Sequence, residues 1–201
     1  MVKNLIVSYR KRLDSLFRMT DKVESNIDLT LLEKEKIFEG LFLDAFKNYE
    51  LTIEKLFIAA MLTRETIARK RFYSYVRPRN VNHAKDILLL EKDYIDWANP
   101  ESVITRAEAL FQNHCIITDC IKTNMQFLGD SRKVRNAIAH SSEESIKKFN
   151  KVLNKYLGTK PVIRRTPGWF LNQLYTSNPA GVTKFIKHFL NSYYNLSHHF
   201  V

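Results

Sequence analysis

Apolar residues recur at spacings of three and four along almost the whole chain. From Lys3 to about Thr20, Leu5, Ile6, Tyr9, Leu13, Leu16 and Phe17 mark one face of a helix whose other face is basic. Asp28 opens a second and longer pattern, through Ile37/Phe38, Leu41/Phe42, Ala45/Phe46, Tyr49, Ile53, Leu56/Phe57 and Ala60/Met61. No Gly or Pro interrupts it after Gly40, so it predicts the main core helix, ending near Arg69. A connector from Arg69 to Asn80 follows, in which aromatics such as Phe72 and Tyr75 lie between bases; they can stack on nucleobases or anchor the loop on the core.

Capping residues divide the remainder. Asn82 reads as the cap of a short helix reaching Ile95, and Asn99-Pro100 as the start of one reaching Gln112. Helix continues through Cys120 to Phe127. Gly129-Asp130 then reads as a break, with Asp130 capping a short helix that carries Arg135. Ser141 and Glu144 have the form of a capping box, opening a helix with Ile146, Phe149, Val152, Leu153, Tyr156 and Leu157 inward. Gly158 to Gly168 reads as a loop, Trp169, Phe170, Leu174 and Tyr175 as a small packed patch, and Asn178-Pro179 as the start of a last helix to Tyr194. The expectation is one all-helical domain over 1–201, a bundle of seven or eight helices with its core at about 31–195 and residues 1–27 as an N-terminal helical extension.

Composition narrows this further. Five Gly and five Pro among 201 residues are too few for a turn-rich β-sandwich or barrel. Cys115 and Cys120 make neither a disulfide framework nor a zinc or redox spacing, which points to a reducing cytoplasm. The N-terminus lacks the apolar stretch of a signal peptide, and no run approaches the 18 apolar residues of a membrane span.

The net charge of +11 favours an anionic partner, and its distribution says where. Between Arg132 and Arg165 ten Lys or Arg face two Glu; between Arg64 and Lys92 eight face three acids; residues 32–54 carry six acids. A basic half and a more acidic helix would give two electrostatic faces.

The chemistry concentrates in Arg135-Asn136-Ala-Ile-Ala-His140. A guanidinium can hold a phosphate, and an imidazole can move a proton near neutral pH. Metal-free cleavage of an RNA phosphodiester needs both. The same six residues also fit an ordinary helix end with a solvated Arg and a capping His. Metalloprotease, P-loop, hydrolase and di-iron signatures are absent, so no metal or cofactor is expected. Residues five apart on an ideal helix point about 140° apart, so Arg135 and His140 converge only if the backbone turns after His140. The N–H groups of the helix beginning at Ser142 are suited to an oxyanion. One Arg–His pair supplies a single titrating group, so a dimer joining two copies is expected. Arg77 and His83 repeat the spacing, but Pro78 makes that segment a poor helical site.

This layout, with Arg135-Asn136-Ala-Ile-Ala-His140, resembles the HEPN superfamily, nearest its RiboL-PSP-HEPN group; the string matches the family's Arg-x(4–6)-His motif, and the likeness of layout covers about residues 31–195. Family members commonly end the motif with His-Gly, where this chain has His140-Ser141. The resemblance implies a metal-independent endoribonuclease of a defence or toxin–antitoxin type that leaves 2′,3′-cyclic phosphate ends. It implies that Arg135 and His140 are catalytic, with Asn136 assisting. RNA-binding residues would be Arg132, Lys133, Ser141 and Lys147, with Arg71, Arg77 and Arg79 on the connector. A homodimer through the Arg135–His140 face and a cognate antitoxin or regulatory protein would be partners. The alternative is a non-catalytic RNA-binding or protein-interaction HEPN module.

Overall fold

The computed structural model describes residues 1–63, 66–67, 70–71, 73–89, 94–112, 115–158, 165–176 and 181–200. It is an all-α bundle with two short peripheral β-ladders. In chain order the elements are α1 (Val2–Ser25), α2 (Leu31–Leu62), β1 (Thr66–Ile67), β2 (Lys70–Arg71), α3 (Val81–Leu89), α4 (Pro100–Leu110) and α5 (Ile116–Thr123). After these come α6 (Met125–His140), α7 (Glu143–Leu157), α8 (Pro167–Asn172), β3 (Leu174–Tyr175), β4 (Thr183–Lys184) and α9 (Phe185–Leu196). A 3-10 turn, Ser197–Phe200, follows. Both ladders are antiparallel: Thr66 opposite Arg71, and Leu174 opposite Lys184.

The chain forms two compact units. One comprises Met1–Arg10, Asn48–Leu128 and Asn195–Val201; the other Lys11–Lys47 and Gly129–Tyr194. In the first, Phe57 meets Trp97 at 5.0 Å and Phe111 at 5.5 Å between ring centroids. Ile53, Leu56, Ile117 and Ile121 are buried in the same unit. Cys115 and Cys120 are free thiols there, and burial, with the charge of Asp119, pushes Cys120 up to about 12. In the second unit Phe42 stands edge-on to Phe189 at 5.3 Å, and Phe170 lies 4.4 Å from Phe185. Such contacts between large buried rings favour one arrangement of helices over other equally apolar ones.

Helix ends are where the expectations shift. α1 extends to Ser25, five residues past Thr20, because Thr20 is itself buried and bonds back to the Leu16 carbonyl at 2.9 Å. α2 starts at Leu31, not at Asp28: the Thr30 N–H donates to Glu33 Oε2 at 2.7 Å and the Glu33 N–H to Thr30 Oγ1 at 3.3 Å, a reciprocal capping box. It stops at Leu62, short of Arg69, and Thr63 folds its hydroxyl back onto the Ala59 carbonyl at 2.9 Å. The cap of α3 is Asn80, whose Oδ1 accepts the His83 N–H at 2.9 Å, so Asn82 lies inside the helix. Asn99 caps α4 as expected, with Pro100 at its first position. Asn178-Pro179 lies outside the described residues. α9 begins only at Phe185, because Thr183–Lys184 pair as a strand with Leu174–Tyr175.

Gly168 in α8 marks a close approach within the second unit. A Cβ at that position would meet the Glu35 carbonyl oxygen at 2.6 Å. The Gly168 N–H donates to Glu39 Oε1 at 2.9 Å, which ties α8 to the buried acidic face of α2.

Candidate functional site

The largest local departure from expectation carries the site. Gly129 and Asp130 do not break the chain: α6 runs unbroken through both to His140. A helical glycine costs only about 1 kcal/mol, and burial along one face outweighs it. Asp130, Ser131, Val134 and Ala137, at helical spacing, are each at most 3% exposed. Asp130 is therefore no cap. Its Oδ1 takes Lys133 Nζ at 2.9 Å and its Oδ2 takes Lys155 Nζ from α7 at 2.6 Å. A buried carboxylate held by two ammonium groups locks α6 against α7.

Next to that buried face on α6, Arg135 and Asn136 are half-buried, and His140 at the helix end is exposed. Arg135 Nη1 donates to Asn136 Oδ1 at 3.0 Å and lies 3.3 Å from His140 Nε2. The two residues meet although the helix runs straight through both. Five residues rise about 7.5 Å along the axis, within the reach of an arginine, and helical side chains lean toward the N-terminus. His140 is the last helical residue, so no further turn encloses its ring. The chain then leaves the helix through Ser141, whose φ of 45° lies in the left-handed region. Glycine tolerates that conformation without strain.

An arginine has only donors to offer. A bond from Nη1 to His140 Nε2 thus requires the imidazole to present a lone pair at Nε2 and to carry its proton on Nδ1. Both Arg135 bonds draw on Nη1 alone.

The other expected site residues fall into three groups. Arg132 is half-buried on the same helix, while Lys133 is committed to Asp130. Lys147 pairs with Glu143 at 2.8 Å on an exposed face. Ser141 donates its hydroxyl to the Ala137 carbonyl at 3.3 Å and so finishes α6; the cap of α7 is Ser142, one residue later, with its Oγ accepting the Ser145 N–H. The positive end of α7 already has Glu143 and Glu144 in its own first turn, which removes the reason for an oxyanion there. Arg77 and Arg79 are exposed in the other unit, and the side chain of Arg71 lies outside the described residues. His83 does not partner Arg77: its Nδ1 accepts the backbone N–H of Arg79 at 3.1 Å.

A second arginine–histidine contact was invisible in the sequence. Arg10 Nη2 lies 3.3 Å from His198 Nδ1, across 188 residues, and Arg10 Nε donates to the buried Ser197 at 2.7 Å. Among the described residues no three His, Cys, Asp or Glu side chains gather where they could hold a metal ion, and no helix is long and apolar enough to cross a membrane. No family model, curated protein or solved structure matches the chain.

Proposed function

We propose that the protein is a metal-independent endoribonuclease of the HEPN type, in a defence or toxin–antitoxin role. It acts as a homodimer that brings two Arg135–His140 elements to one cytoplasmic RNA substrate. The observation carrying this reading is the 3.3 Å approach of Arg135 Nη1 to His140 Nε2 on an exposed helix end, with Asn136 orienting the same nitrogen at 3.0 Å.

The chemistry follows from the atoms. When RNA arrives, Arg135 turns from the imidazole to the scissile phosphate and frees the Nε2 lone pair. His140 takes the proton of the 2′-OH as its oxygen bonds to phosphorus, and Arg135 offsets the charge that builds on the phosphorane oxygens. The P–O5′ bond breaks, and His140 of the second copy, protonated, gives the 5′-oxygen its proton. The products are a 2′,3′-cyclic phosphate and a 5′-OH end. The test is incubation of the protein with total RNA, wild type beside Arg135→Ala and His140→Ala, with mapping of the new ends. Cleavage by the wild type alone, with cyclic phosphate ends and no effect of EDTA, is expected. Equal inertness of all three, or loss of activity on chelation, overturns the proposal.

A second reading, a module that binds RNA or a partner protein without cutting, draws support from Arg10 and His198. That contact, also at 3.3 Å, joins α1 to the 3-10 turn Ser197–Phe200, so an Arg–His contact has structural uses as well. That reading predicts RNA binding that weakens steeply with salt and survives His140→Ala.

A further inference from the structure

Beside the end of α6 the second unit has a cleft of about 210 Å³. Ala137, Ile138 and Ser141 line it, and they belong to the segment that carries Arg135 and His140. Its volume lies below the roughly 300–1,000 Å³ of sites for drug-sized ligands, a size suited to one planar ring system. The apolar lining comes from Ile138, Ile146, Phe149 and Pro167, which offers faces for a ring to lie against.

The polar groups on the wall are more specific. Lys36 and Glu39, one helical turn apart on α2, both reach the cleft and are joined through Nζ and Oε2 at 2.8 Å. Glu39 is 7% exposed, and its Oε1 already holds the Gly168 N–H. A carboxylate has about four acceptor sites, so each oxygen keeps one for a ligand. An ammonium beside a carboxylate offers a donor next to two acceptors. Guanine presents the complement along one edge: the O6 acceptor, then the N1–H and N2–H donors. Adenine and cytosine bring one amino donor beside a ring acceptor that the carboxylate repels, and uracil flanks its single N–H with two carbonyls. Arg165, whose guanidinium lies 4.4 Å from the Trp169 ring centroid, also lines the cleft and adds positive charge for a flanking phosphate.

We infer that this cleft is a nucleobase subsite that selects guanine, placing the adjoining phosphate of an RNA at Arg135. The inference rests on the Arg135–His140 reading for its place in the reaction, but not for binding itself. The experiment titrates the full chain with 5′-GMP, 5′-AMP, 5′-CMP, 5′-UMP and ribose 5-phosphate while following the methyl signals of Ile138 and Ile146 by NMR. GMP is expected to shift both methyls and to bind at least about tenfold more tightly than the other nucleotides, the discrimination of one bidentate base contact. Glu39→Gln should remove that preference. Because Glu39 also holds Gly168, two more exposed positions give independent readings: Lys36→Ala should narrow the gap, and Ile138→Trp should fill the cleft and abolish binding. Ribose 5-phosphate shifting the methyls as strongly as GMP, equal binding of all four nucleotides, or no shift of either methyl overturns the subsite. Guanine-selective binding by a protein that never cuts RNA retires the nuclease and keeps the cleft. RNA cleaved without preference for guanine, and cleaved alike by Ile138→Trp, retires the cleft and keeps the nuclease.

Discussion

Nη1 of Arg135 lies 3.3 Å from Nε2 of His140, five residues further along one uninterrupted helix. The contact fixes which imidazole nitrogen offers a lone pair, and His140 is exposed at the helix end. If it is the base, removing the imidazole should lower cleavage by roughly 10²–10⁴-fold, the usual contribution of a positioned proton-transfer group. Arg135→Lys should retain little, because an ammonium lacks the planar fork that grips two phosphate oxygens at once. His198→Ala and His83→Ala are the controls, both expected within a few-fold of wild type in an RNA cleavage assay. A loss at His198 as large as that at His140 would move the site to the other unit.

Ser141 adopts φ 45° where α6 ends. A non-glycine residue in that region costs roughly 1–2 kcal/mol. Ser141→Gly removes that strain but gives up the hydroxyl bond to Ala137 and loosens the unfolded chain, so stability in urea unfolding is expected to change by less than about 1 kcal/mol. A loss well beyond that would show that the hydroxyl bond, and not the backbone, sets the end of α6.

The Asp130 carboxylate is 1% exposed and held by two lysines. Either lysine alone still leaves it paired, so Lys133→Met and Lys155→Met should each cost little. The double substitution removes both counter-charges from a buried carboxylate, to which Tyr156 also hydrogen-bonds, and should cost about 3–5 kcal/mol. Additive single effects in denaturant titrations would contradict a shared role.

His188 sits among rings, with Tyr175 at 4.3 Å and Phe189 at 5.9 Å between centroids. Burial lowers its pKa below the ordinary value of 6.5. The unfolded chain therefore binds a proton near pH 6.5 that the folded chain refuses. Stability from this group is full above pH 6.5 and declines as pH falls from there toward the lowered folded value. Urea midpoints at pH 7.5 and 5.5 should show that decline in the wild type and a smaller one in His188→Phe. Equal declines in the two proteins would assign it to other groups.

How much of this was written in the sequence depends on the range of the forces involved. The stripes of α1 and α2 were legible because each residue's partner face repeats every turn, and Asn99-Pro100 because a cap acts over three residues. The spacing of Arg135, Asn136 and His140 was equally plain. Gly129-Asp130 misled because local chemistry favours a break and a cap there, while the partner that overrules it, Lys155, lies 25 residues away. The Asn82, Ser141 and Asp28 caps were each misplaced by one or two residues, since neighbouring polar residues compete for the same backbone N–H groups and packing picks the winner.

The sequence by itself determined an all-helical protein, a basic segment around one Arg–His string, and the absence of familiar metal signatures. Those are properties of period, composition and spacing, which need no third dimension. Only the tertiary structure decided that α6 runs straight to His140 and that an arginine can still reach the imidazole across its last turns. It also decided that Lys36 and Glu39 open onto the cleft beside Ser141, and that Arg10 finds His198. The straight run of α6, the cleft and the Arg10–His198 contact depend on atoms far apart in the chain brought within a few ångströms by burial, and burial is settled by the whole fold at once.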